Sequence, residues 1–520
     1  MHLLLLGLFL GVFLHDVSAT VPGQSAAEAL PGDVWPALGF WAVVACVLLP
    51  KFLFLVVYTA TCRVTLRRLG TKAGTTWMRR TDHLTGLMPL TLLVCYASDL
   101  TVGALRWVRV PFRHTVLVDE IIVMLPTLAT LVLAWLVYFP IDRRMRESGL
   151  ISRVDRGLAI YPLPTRGQYL LAQLRHQVAL LFVPLLIIAA WSESVALLGP
   201  DFDGPLSQTQ AMLLAPAGAI GVFLLSPLII RYLWDTAPLP EGEIRESMAA
   251  LCRQHKVRVR ELLLWRTYGV LINAAVMGMI GQLRFILLSD ALLDQLSREE
   301  VEAVMAHEIA HVRKHHMFWM LLVLMSALGL GEQAVQYGLI ALDETLATHG
   351  PRQIAGLDVQ ALLRDGTSQI VLIALVSFAI AMLVFGWVSR RIERQADVFA
   401  ARHMAQHTEP RQRDAQGRVV FDAAACHAMI AALQRVATLN HIPTQRKSWR
   451  HGSIRWRQDH LRSIIGQPIN EAQVDRVLWR VKAAALAAAL LLGVLYWLQW
   501  SAGDDAPALV EAVGIIRRLV

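Results

Sequence analysis

The sequence predicts a mainly α, polytopic helical membrane protein that carries one sizeable polar domain. Three observations lead there. Of 520 residues, 55% are hydrophobic and only 17% are charged, with a mean hydropathy of +0.48, whereas soluble domains carry about a quarter charged residues. Apolar stretches long enough for a ~30 Å hydrocarbon core recur along the chain. Two long polar regions interrupt them. This composition excludes a wholly water-soluble protein and a disordered one. Cys46, Cys62, Cys95, Cys252 and Cys426 are scattered without a CxxC pair, so neither a disulfide framework nor a cysteine zinc site is indicated. The net charge of +9 sits largely in loops beside apolar segments. With no aromatic-basic module in view, that pattern speaks for membrane orientation and against nucleic-acid binding.

In chain order, Leu3–Leu14 followed by Val17-Ser18-Ala19 reads as a secretory signal peptide. Because only His2 supplies a polar flank, an uncleaved first helix is an equal alternative for residues 1–19. Spans then follow at Pro36–Thr59, Leu84–Leu105, Ile121–Phe139, Val178–Leu198, Ala211–Ile230, Met317–Ile340, Ile370–Val388 and Ala483–Trp500. Arg63, Arg67, Arg68, Lys72, Arg79 and Arg80 crowd the loop Ala60–His83, and seven arginines from Arg143 to Arg175 crowd Pro140–Gln177. Both loops are expected to be cytoplasmic. The loop Gly199–Gln210, with Asp201 and Asp203 and no basic residue, is expected outside. Arg106, Arg109 and Arg113 run against this pattern, since they fall on the outer side. Asp99, Glu193 and Lys51 lie within or beside apolar segments; the two acids face a bundle interior or snorkel from span ends, and Lys51 after Pro50 suggests a broken or kinked first helix.

The expected organisation is a leader or first helix at 1–19 and a membrane region with about five spans at 20–235. A polar domain is made from 236–316 and 389–482, split by a two-span membrane insertion at 317–388, and a C-terminal membrane helix and tail fill 483–520. The two polar parts fall on the same, cytoplasmic side and are together long enough for a real core.

The chemistry concentrates in Ser297-Arg-Glu-Glu-Val-Glu-Ala-Val-Met-Ala-His307-Glu308-Ile-Ala-His311. Ser297 and Glu300 form a capping-box pattern, so a helix is predicted to start there. On it His307 and His311 stand at i and i+4, both able to hold one zinc ion, with Glu308 beside them to take a proton from water. A catalytic zinc site wants a third protein ligand. In Ser389-Arg-Arg-Ile-Glu393-Arg-Gln-Ala-Asp397, directly after a span, Glu393 and Asp397 again share a helix face. Glu393 can be that third ligand, and Asp397 can accept the other ring N–H of a ligating histidine. A juxtamembrane surface helix with Glu–Arg pairs is the bland alternative.

His-Glu-Ile-Ala-His, two intervening membrane helices and then SRRxExxAD resemble the membrane-embedded gluzincin zinc metallopeptidases of the HtpX and type I CAAX prenyl protease family. Asn273-Ala-Ala-Val-Met-Gly278 resembles the family's NAxxxG edge-strand segment, with the strand-like Arg284–Ser289 after it. The resemblance covers roughly residues 240–465. It implies a zincin-type metalloprotease domain, α with a small β edge, with one Zn2+ per chain held by His307, His311 and Glu393. Glu308 would be the general base, Asp397 would orient a ligand, and Asn273 and Gly278 would bind extended substrate by β-augmentation. His316 matches a histidine of some members, although an interfacial histidine at the mouth of the next span is the favoured reading. The family's later His-Pro pair and Arg-containing helix have two counterparts here, His441-Ile442-Pro443 and Arg450-His451-Gly452; the second fits better, because Arg455, Arg457 and Leu461 follow at helical spacing. His451 is thereby expected to stabilise the oxyanion.

The expected function is zinc-dependent endoproteolysis of membrane-associated polypeptides, with a polypeptide substrate and the lipid bilayer as partners and the oligomeric state open. Quality control of membrane proteins and processing of lipid-modified proteins both fit. Two other classes compete: a catalytically silent membrane scaffold or sensor of the same fold, and a transporter or receptor with a chance HExxH. Intact ligands and base oppose the first, and the scarcity of paired half-helices and intramembrane charges opposes the second.

Overall fold

A computed structural model describes residues 38–112, 115–155, 162–200, 204–268, 271–349, 353–354, 357–358, 366–407, 411–440, 442–470 and 472–501, together with Leu4 and Leu8. The expected leader at 1–19 otherwise lies outside the described residues, as do Arg113, Asp201, Asp203, His441 and the tail beyond 501. The chain divides into two compact units, Met1–Thr236 and Ala237–Val520.

The first unit is helical. It comprises α1 (Phe40–Arg68), α2 (Gly74–Thr101), α3 (Ala104–Phe112), α4 (Val118–Asp155), α5 (Arg166–Leu197) and α6 (Gln208–Leu233). The last two start at capping boxes, Thr165 with Gln168 and Ser207 with Gln210, which satisfy backbone N–H groups the first turn leaves free. Tyr58, Cys62, Met88, Leu92, Tyr96, Met124 and Leu131 form a core between α1, α2 and α4. Phe52, Leu53, Val57, Leu90 and Val94 point outward and exposed, as side chains do where lipid takes the place of water. Pro50 lies inside a continuous α1 rather than at a break. The Lys51 Nζ after it donates to the Val47 carbonyl at 3.0 Å and meets Asp99 of α2 at 2.6 Å, with both side chains almost fully buried. These two charges therefore answer each other. Arg109 of α3 likewise pairs with Asp119 at 2.8 Å and Glu120 at 3.5 Å.

The second unit combines a small sheet with helices. Its elements are β1 (Thr236–Pro238, at the boundary), α7 (Glu243–Gln254), β2 (Glu261–Trp265), β3 (Ala274–Met277), β4 (Phe285–Ser289), α8 (Asp290–Gln295), α9 (Arg298–Arg313) and α10 (His316–His349). A short β5–β6 pair (Gln353–Ile354, Leu357–Asp358) leads to α11 (Gly366–His407), α12 (Ala423–Leu439), α13 (Ile454–Ser463) and α14 (Gln473–Ser501). Among the described residues eight helices are long and apolar enough to cross a membrane, α1, α2, α4, α5 and α6 in the first unit and α10, α11 and α14 in the second. They coincide with the eight stretches read from the sequence.

The sheet runs β1-β2-β4-β3. β4, Phe-Ile-Leu-Leu-Ser, is buried at every position, as befits an apolar strand covered on both faces. It pairs parallel with β2 and antiparallel with β3, which leaves β3 an edge among the described residues. Asn440, at the end of α12, exchanges two hydrogen bonds with the backbone of Ile272 at 3.1 and 2.8 Å and so fixes the chain just before β3. After β3, Gly278 adopts φ +100°, and a Cβ there would lie 2.5 Å from the Leu283 carbonyl. Only glycine fits that corner. α9 is buried on two sides. Val301, Met305 and Ile309 join Ile286 and Leu288 of the sheet, while Ala303 and Ala306 pack with Ile392, Val398 and Ala400 of α11 and Met429 of α12.

Removing one member of the Lys51–Asp99 pair leaves a lone charge away from water, so Lys51→Met should lower unfolding stability in detergent by about 3 kcal/mol or more. Lys51→Met combined with Asp99→Leu should recover most of that loss. Thermal unfolding of the three proteins checks this, and a double variant no better than the single one would refute it.

Candidate metal centre

The centre starts from the local rule that opens α9. Ser297 Oγ accepts from the Glu300 N–H at 3.2 Å, and Glu300 Oε2 accepts from the Ser297 N–H at 2.9 Å. With its start fixed and its two apolar faces committed, the helix presents His307 and His311 one turn apart, their Nε2 atoms 3.3 Å from each other. α11 brings Glu393 to them. Glu393 Oε2 lies 3.6 Å from His307 Nε2 and Oε1 4.0 Å from His311 Nε2. One donor atom from each of the three residues falls within 4.8 Å of the others. One turn on, Asp397 Oδ1 accepts from His307 Nδ1 at 3.0 Å, which leaves Nε2 with its lone pair directed at the shared point. The stretch from Ile392 to Ala401 is buried almost throughout, so it is not the surface helix of the alternative reading.

Arg457 of α13 joins these parts and was not singled out by sequence reasoning. Its guanidinium donates to Asp397 through Nε at 2.8 Å and Nη2 at 2.6 Å, and its Nη1 lies 3.2 Å from Glu393 Oε2. The available signal was its place on the Arg-containing helix after His451, but helical spacing alone does not distinguish it from Arg455, which is exposed. His451 sits with Nδ1 2.9 Å from Glu393 Oε1, its side chain half exposed. Its ring is thus turned to the Glu393 carboxylate through Nδ1. His316, at the start of α10, is buried in the protein rather than exposed: it is 1% exposed, with Nδ1 3.1 Å from His311 Nδ1 and Nε2 2.8 Å from Gln395 Oε1. The Asn273 side chain is exposed and its backbone pairs with Ser289, while β3 as a whole packs along α9.

Electrostatics fit the donor set to a cation. Burial alone would lower the His307 pKa, but hydrogen bonds to the Asp397 and Glu393 carboxylates raise it to about 9; the pocket draws positive charge to that ring. His311 is held well below the ordinary histidine value by burial and by His307 beside it, so it stays neutral with a lone pair free. Burial pushes the Glu308 carboxyl up to about 7, with His307 pulling the other way. A cation at the centre would pull it further down. Two imidazoles and one carboxylate, with an unligated carboxylate next to them, are the donor set of catalytic zinc. These residues therefore fit zinc.

Comparison with known proteins agrees with the geometry. Residues 238–447 match the family described as Peptidase family M48. A "Protease HtpX homolog" of Polaromonas naphthalenivorans is 27% identical over 214 residues, covering 38% of this chain and 66% of that protein. "Protease HtpX" of Yersinia pestis (strain Pestoides F) is 31% identical over 170 residues, covering 32% of this chain and 49% of that protein. The matched stretch thus spans between half and two thirds of these relatives' length. Among solved structures, the crystal structure of S. mikatae Ste24p aligns over 82% of this chain and 100% of that chain, at 13% identity and a TM-score of 0.38, a likeness too loose to carry an inference. The chain resembles the membrane metallopeptidases of family M48.

Arg457→Met should cost the metal-free protein about 3–5 kcal/mol of unfolding stability, because it leaves Asp397 and Glu393 as buried carboxylates without their cation. Thermal unfolding of the chelator-treated protein measures it. A loss below about 1 kcal/mol would mean that the guanidinium is not what holds the two acids together.

Proposed function

We propose that this chain, whose residues 238–447 match peptidase family M48, is a zinc-dependent metalloendopeptidase of the membrane that hydrolyses peptide bonds of membrane-associated polypeptides. The observation that supports this best is the convergence of His307, His311 and Glu393 from two helices, with Glu308 beside them and unused as a ligand. His307, His311 and Glu393 would hold one zinc ion per chain, which would supply Lewis acidity towards water and a carbonyl, lowering the pKa of such a water to about 7.

The chain's own residues do the rest. Asp397 and Arg457 hold the His307 ring and the Glu393 carboxylate in place. Glu308 takes the proton from the attacking water and passes it to the departing amine. Substrate lies extended along the Asn273–Gly278 edge and pairs with its backbone as a further strand. His451 Nε2 donates to the oxygen on which negative charge develops.

The substrate class follows from position. α9 ends at Arg313 and the membrane helix α10 begins at His316, so scissile bonds must come close to the bilayer. Misfolded membrane proteins and lipid-modified tails both meet that condition. The arginine-rich loops support a cytoplasmic site.

Glu308→Gln should keep one zinc per chain and lose casein or self-cleavage by at least ~10²-fold. Treating wild type with 1,10-phenanthroline should abolish cleavage, and added zinc should restore it. Zinc without cleavage in wild type would favour a silent scaffold. Absence of zinc from protein with Glu393 intact would refute the proposal.

A further inference from the structure

We propose that His316, Gln395 and Asp475 form a hydrogen-bond relay that positions the zinc ligand His311, which makes the last membrane helix part of the metal centre. This rests on the zinc reading above and adds to it three positioning residues, none of which touches the metal or the substrate.

The four side chains stand in line. His311 Nδ1 meets His316 Nδ1 at 3.1 Å, His316 Nε2 meets Gln395 Oε1 at 2.8 Å, and Gln395 Nε2 donates to Asp475 Oδ1. His316 and Gln395 are buried, at 1% and 4% exposure, so water does not compete for these bonds. Asp475 lies in the first turn of α14. It is fixed in turn by Arg402 Nη2 at 3.1 Å and Lys314 Nζ at 3.8 Å, and Arg402 is itself anchored by donating to the Ile469 carbonyl at 2.8 Å.

The direction of the chain is set from both ends, and the two ends agree. At the metal end, His311 ligates through Nε2, so as a neutral ring it carries its proton on Nδ1 and must donate to His316. His316 then accepts at Nδ1 and carries its own proton on Nε2, from which it donates to the Gln395 carbonyl. At the far end a carboxylate can only accept, so Asp475 must receive the Gln395 amide N–H. Turning the amide over would set its oxygen against the carboxylate and its NH2 against the N–H of His316, two clashes at once. Asp475 therefore decides how Gln395 sits, Gln395 decides the His316 tautomer, and His316 holds the His311 ring with Nε2 facing the metal. The two histidine ligands are thus oriented by the same device, a carboxylate behind the ring. For His307 it is Asp397 in direct contact, and for His311 it is Asp475 through two intermediates.

The test is zinc affinity, read by chelator competition on the full-length protein in detergent. Gln395→Met keeps the length of the side chain and removes both bonds, so it should weaken zinc binding about 10- to 100-fold, the usual effect of losing a partner behind a ligand. Asp475→Leu, at a partly exposed position, should act in the same direction and serves alone if the buried variant does not fold. The double variant Gln395→Glu, Asp475→Asn exchanges carboxylate and amide while keeping an acceptor for His316, and it should recover most of the affinity. Single variants that bind zinc as tightly as a zinc-binding wild type would overturn the relay. So would a double variant no better than Gln395→Met, since that would mark a packing role. A wild type that binds no zinc would instead overturn the zinc reading on which the relay rests.

Discussion

The two-pronged bond from Arg457 to Asp397 is the interaction on which the site's architecture turns. Asp397 and Glu393 are buried carboxylates one helical turn apart, and without a cation between them α11 could not present both to α9. The guanidinium meets Asp397 with two donors and Glu393 with a third, so α13 and α11 lock together where α9 delivers its histidines. The two carboxylates and one guanidinium sum to −1, a charge a buried site does not hold comfortably, and the raised His307 pKa shows the pocket drawing further positive charge to the same point. The polar core is thus organised around a positive charge that completes it.

Local patterns made much of this readable and tertiary contacts made the remainder invisible. The histidines and the Glu393–Asp397 pair announce themselves because both sets repeat at one helical turn, and the capping box at Ser297 marks where their helix begins. The eight spans are legible because lipid demands long apolar runs. Arg457 is not legible: its partners lie 60 residues away, and nothing in its own neighbourhood separates it from the arginines around it. Gln395 is hidden for a different reason. It sits two residues from both Glu393 and Asp397, hence on the opposite side of the helix, where an amphipathic reading expects solvent; α11 is buried there as well. His316 was drawn towards the interfacial reading by Arg313, Lys314 and His315 before it, yet its ring turns inward beneath His311.

The small sheet shows how little β structure is needed to position an edge. β4 is covered on both faces and anchors β3 by antiparallel pairing; Asn440 holds one end of the strand and the Gly278 corner the other. Arg284 closes that corner by donating to the Gly278 carbonyl at 3.0 Å and the Arg258 carbonyl at 2.9 Å. What remains of β3 is a short run of backbone with no strand on its outer side among the described residues, alongside the helix that bears the histidines. In the first unit a different constraint rules, since charges there must find each other or stay out of lipid, as Lys51 and Asp99 do.

α11 is one unbroken helix of 42 residues, about 60 Å long at 1.5 Å per residue, and it contains both a membrane-crossing stretch and Glu393. A rod of that kind is a lever. Glu393 stands about 20 Å beyond the middle of the apolar stretch, so a change of about 3° in tilt moves its carboxylate by about 1 Å, a displacement of the size that costs enzymes orders of magnitude in rate. Membrane helices adjust their tilt to the thickness of the bilayer around them. A change in the tilt of this helix relative to α9 would therefore move Glu393 against the histidines, so the thickness of the host membrane has a direct mechanical route to the centre.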